Sequence, residues 1–189
     1  MVTIPQPLAP FLPEARAEEL AAAGRFADDL PGIRTAYGLL SADWDATVER
    51  ARPLGDRLDE RVSGEWSFLQ TMRHLVFVTD LWVGEVIEAA PSPPHPLGMP
   101  PDFLPPPVVA DMGLTVDARP TLDEVVALLA ERRAQVERVL DGLTPEGLER
   151  TCESRRGPFQ VVAALQVVLF ETWAHHQFAT RDLAVLEQP

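Results

Sequence analysis

Glu171 and His175 stand four residues apart, directly after an apolar run from Val161 to Phe170. On a helix that spacing puts them within ~40° of each other, on one face and one turn apart. The surrounding positions are apolar nearly all round, and a buried carboxylate without a partner is costly. A cation offsets that cost. The reading is a divalent metal held by Glu171, His175 and a third ligand from another helix, His74. Two histidines and one carboxylate leave at least one position open, as in reactive or substrate-binding metal sites rather than closed structural ones. Zinc is the first choice; nickel, iron or manganese also suit such donors. Two simpler readings stand beside it. Glu171 and His175 could be an ordinary i, i+4 pair worth tenths of a kcal/mol, and His74 a core histidine bonded to a carbonyl.

The other reactive side chains are weaker candidates. His176 lies ~100° from His175 and is expected to pack or to support the site. Asp182 falls about 10 Å along the axis from His175, too far to share a metal, and is expected to pair with Arg181. His95 is read as loop surface. Trp44, Trp66, Trp82 and Trp173 are core or pocket wall, with Trp173 and Phe170 a candidate homodimer face. Cys152 is expected to be inert. No Gly-rich phosphate loop, Gly-x-Ser-x-Gly or Cys-x-x-Cys occurs.

Four amphipathic segments must position these groups. Ile33, Tyr37, Leu40, Trp44 and Val48 form a helical stripe, which predicts a first long helix over roughly 31–51, ended by Pro53 and Gly55. Ser63-Gly64-Glu65-Trp66 is expected to open the second, which carries His74 to about Ala89. Thr121 and Glu124 have capping-box spacing for a third helix to about Leu140. Gly157-Pro158 is expected to open the fourth, to about Leu186. Nine prolines between 91 and 107 predict an irregular crossover between helices two and three. The expectation is an all-α four-helix bundle forming a single domain over 1–189, with 1–30 an extension and the bundle at about 31–187.

A net charge of -13 argues against nucleic acid and against anionic membrane surfaces as partners. One cysteine and no visible secretory signal suit a reducing, cytoplasmic setting.

The run Gly64-Glu65-Trp66-Ser67-Phe68-Leu69-Gln70-Thr71-Met72-Arg73-His74-Leu75, together with Glu171-Thr172-Trp173-Ala174-His175-His176-Gln177-Phe178-Ala179-Thr180-Arg181-Asp182-Leu183, resembles the DinB-like superfamily. That superfamily includes the DNA-damage-inducible proteins and the mycothiol-dependent maleylpyruvate isomerases. The resemblance implies a four-helix bundle holding a divalent metal by three side chains, here His74, Glu171 and His175. Many members use three histidines, the last two as His-x-x-x-His. This chain has Glu171 or Thr172 where the first of that pair would stand, which is closer to the isomerase branch with its carboxylate. The resemblance also implies a small-molecule substrate and a low-molecular-weight thiol, in a transferase or isomerase reaction. The competing expectation is a non-catalytic helical module serving a homodimer or a protein partner. A metal-dependent hydrolase is a third idea, for which no general base can be named.

Overall fold

The computed structural model describes residues 14–90, 92–155 and 157–188. It is mostly helical, as the periodicity predicts. Helix α1 (Glu14–Ala22) precedes α2 (Leu30–Ala51). Asp29 caps α2 by accepting the Gly32 N–H, with Pro31 in the first turn, where its missing N–H goes unneeded. The chain tightens into a 3-10 segment, Arg52–Asp59, around Pro53. Helix α3 (Phe68–Thr79) continues directly into a π-helical stretch, Asp80–Ile87. A short α4 (Pro106–Asp111) interrupts the crossover. Then come α5 (Leu122–Gly142), α6 (Pro145–Glu149), strands β1 (Thr151–Ser154) and β2 (Gly157–Gln160), and α7 (Val161–Leu186).

The four long helices close into a ring: α2 packs on α7, α7 on α3, α3 on α5, and α5 lightly back on α2. Helix α1 adds to this body, with Leu20 fully buried and the helix resting on α7. The core forms two clusters. One gathers Ile33, Leu40, Phe77, Trp82 and the apolar first half of α7 to Leu169. The other gathers Trp44, Phe68, Met72, Val125, Ala179 and Leu183. On α7 the polar pair Glu171 and His175 falls between the two.

Three boundaries differ from expectation. The second helix starts at Phe68, because Ser67 rather than Ser63 makes the cap: Ser67 and Gln70 form a reciprocal capping box. Ser63 instead has a positive φ of 54° beside Gly64, in a turn closed by the Glu65 N–H on the Val62 carbonyl. The fourth helix starts at Val161, because Thr151–Ser154 and Gly157–Gln160 pair as antiparallel strands, with Cys152 opposite Phe159. Both of those side chains are buried, so this short ribbon has an inward face that its polar composition concealed. The crossover is irregular from 92 to 105, but its last prolines open α4, where proline in the first turn is tolerated. Among the described residues no helix is long and apolar enough to cross a membrane.

Candidate metal centre

Helix α3 brings His74 to the buried interface with α7, and α7 brings Glu171 and His175 one turn apart to meet it. The three residues offer ligand atoms that all lie within 4.8 Å of one another. A Glu171 oxygen sits 3.7 Å from His74 Nε2 and 3.2 Å from His175 Nδ1. The imidazole centroids are 4.7 Å apart. The structure thus brings together all three residues singled out in the sequence.

Each imidazole is held by a backbone carbonyl. His74 Nδ1 donates to the Met99 carbonyl at 2.8 Å, and His175 Nδ1 donates to the Glu171 carbonyl at 2.9 Å. A ring whose Nδ1 carries the proton presents a lone pair at Nε2 when neutral, and an outer carbonyl of this kind is the usual companion of a ligating histidine. His74 thus turns Nε2 toward Glu171, whereas His175 turns its Nδ1; two imidazoles and one ionised carboxylate are donor types that fit a divalent cation. Burial pushes the Glu171 carboxyl up, but hydrogen bonds and positive charge from His175 and His74 outweigh it and hold the group down at about 2. It is a carboxylate throughout the physiological range.

Aromatic rings wall the centre. Trp66 lies 4.7 Å from the His74 ring and stacks at 6.0 Å on His175. Phe77 flanks His74, and Phe178 meets His175 edge-on. A cavity of about 240 Å³ opens against His175, lined also by Glu65, Trp66, Thr71, Asp102, Phe178 and Asp182.

The remaining sequence candidates lie elsewhere. His176 Nε2 is 2.9 Å from Thr47 Oγ1 and edge-on to Trp44, so it joins α7 to α2. Asp182 pairs with Arg181 at 2.7 Å, as expected, and also lines the cavity. His95 is partly buried and organises the crossover: its N–H donates to Asp80, and its Nδ1 accepts from the Leu97 N–H. Cys152 is buried and free.

Three supporting groups were not read from the sequence. Arg73, 2 % exposed, donates to the carbonyls of Leu97, Thr115, Val116 and Ala118. Met99 orients His74 through its backbone oxygen, which no residue type announces. Asp102 accepts from Trp66 Nε1 at 3.1 Å.

A family model described as DinB superfamily matches residues 39–179. The chain belongs to the DinB superfamily. The matched span takes in most of α2, all of α3 and α5, and α7 as far as Ala179, so the DinB match covers every residue of the triad. No curated protein and no solved structure matches the chain significantly.

Proposed function

We propose that this DinB protein binds one divalent metal ion through His74, Glu171 and His175 and uses it on a small-molecule donor in a thiol-dependent transfer or isomerisation. The supporting observation is the pair of imidazoles fixed by the Met99 and Glu171 carbonyls, converging on an ionised carboxylate beside a cavity. Bound there, the metal supplies Lewis acidity and stabilises the deprotonated form of a donor such as a low-molecular-weight thiol. Zinc is the first choice, since the donors are nitrogen and oxygen and no redox partner is required. His74 keeps Nδ1–H on the Met99 carbonyl, which leaves its Nε2 facing Glu171. Trp66 and Phe178 pack on the His175 ring and form two walls of the site. The cavity leaves room for a ligand on the side of His175.

The reading is tested by elemental analysis of the purified chain and by thermal denaturation with and without zinc. About one equivalent of metal is expected, with a rise in Tm that grows with metal concentration. His175→Ala should lose both.

One observation favours a second reading, a helical module without a metal. Both histidines lie against Glu171, so the carboxylate already has partners. That reading requires a Tm indifferent to zinc, nickel, iron and manganese.

A further inference from the structure

We infer that the cavity beside the triad takes a ligand with a cationic group, seated between Trp66 and Phe178 against Asp102, with its donor atom turned toward the metal. The inference rests on the metal reading above and names the ligand class for that site.

The lining of the cavity leaves one polar side chain free for a ligand. Thr71 lines it and is 4 % exposed. Thr35, Thr47, Thr79 and Thr172 each donate their hydroxyl to the carbonyl four residues back. The Thr71 hydroxyl has no such bond and no other protein partner among the described residues, yet it is not one of their sealed, unpartnered polar atoms. Its oxygen is therefore open to the cavity, where it can bond a ligand.

The charges there are unequal. Glu65 and Asp182 share one cation, Arg181, at 2.5 and 2.7 Å. Asp102 bonds only the neutral indole N–H of Trp66 and has no cationic partner among the described residues. Trp66 and Phe178 line the cavity with aromatic rings, which attract cations, as Arg181 does 5.5 Å from the Phe178 centroid. The volume, about 240 Å³, lies below the ~300–1,000 Å³ of drug-sized sites, so the ligand is small.

The test uses the full chain loaded with cobalt(II), whose absorbance reports thiol ligation. Two isosteric thiols are titrated: 2-(trimethylammonio)ethanethiol and 3,3-dimethylbutane-1-thiol. They match in shape, the first carrying a quaternary nitrogen where the second has a quaternary carbon, and neither end group can chelate. The quaternary nitrogen also acidifies its thiol, which changes metal binding with or without Asp102. The readout is therefore the affinity ratio of the two thiols in the native protein divided by that in Asp102→Asn, a variant that keeps an acceptor for Trp66 and removes the charge. That quotient should be at least about tenfold, ~1.4 kcal/mol, with cobalt affinity unchanged. A quotient within about twofold overturns this inference alone. Failure to bind cobalt refutes the metal reading beneath it.

Discussion

Replacing Arg73 by methionine keeps the length of the side chain and removes every donor. The guanidinium makes hydrogen bonds of 2.7, 2.7, 2.8 and 3.1 Å to the carbonyls of Leu97, Thr115, Ala118 and Val116. Bonds to a charged group contribute about 1.5–3 kcal/mol each, so four would suggest roughly 6–12 kcal/mol. Burying the guanidinium itself costs several kcal/mol, and burial is what lowers its pKa. Removing one side of such a buried arrangement typically costs about 3–5 kcal/mol, and that is the expected loss. For a chain of this size each kcal/mol is about 2–4 °C, giving a Tm about 6–20 °C lower by circular dichroism. Amide exchange should rise first between 92 and 118, because those are the segments Arg73 holds. Metal affinity should fall about 10–100-fold, the usual effect of losing an outer-shell partner, because the Arg73 side chain holds the Leu97 carbonyl two residues before Met99, whose own carbonyl orients His74. Arg73→Lys keeps the charge but not the fork geometry, and should recover less than half of the stability. A Tm within about 3 °C of the native protein in Arg73→Met, where ~1 kcal/mol is the corresponding energy, would refute the idea that this residue secures the crossover.

Glu171→Gln preserves shape and removes the ligating charge; by competition with a chelator, its zinc affinity should fall further than the ~10–100-fold of an outer-shell change. In metal-free protein the Glu171 carboxyl titrates at about 2, below the ~4.3 of an unfolded glutamate. Its stabilisation is therefore present above about pH 4.3 and lost as pH falls toward 2, and urea denaturation of native protein against Glu171→Gln should show the difference shrinking across that window. Phe159→Ala empties a buried site that meets Trp82 edge-on at 5.1 Å and should cost about 3–5 kcal/mol in denaturant melts, with no effect on metal binding.

The bundle was legible because its signals are local. The stripe from Ile33 to Val48 and the Thr121–Glu124 capping box each specify an element without reference to the rest of the chain, and both elements are present. The triad was legible for a related reason: helical period places Glu171 and His175 together, and His74 was the histidine on an inward face. The hairpin was not legible, since four-residue strands with a single inward residue each, Cys152 and Phe159, carry too little alternation to register. Arg73 was missed because a charged residue within an apolar helix reads as facing solvent. Its burial depends on carbonyls 24 to 45 positions away in the chain.

Those distant carbonyls explain why the crossover belongs to the site. Proline has no N–H, so a segment with nine prolines between 91 and 107 cannot pair its own carbonyls as a helix or strand does. Once buried, they need donors from elsewhere. Among the described residues, side-chain bonds join the α3 region to the proline-rich part of the crossover at three places. Arg73 donates to Leu97, Asp80 accepts from the His95 N–H, and Trp66 donates to Asp102. Between the first and the last lies Met99, whose carbonyl fixes the His74 tautomer. The prolines restrict the unfolded chain as well, so less entropy is lost in ordering the segment. A flexible crossover of equal length would leave His74 free to rotate, and the Nε2 lone pair would face Glu171 only part of the time.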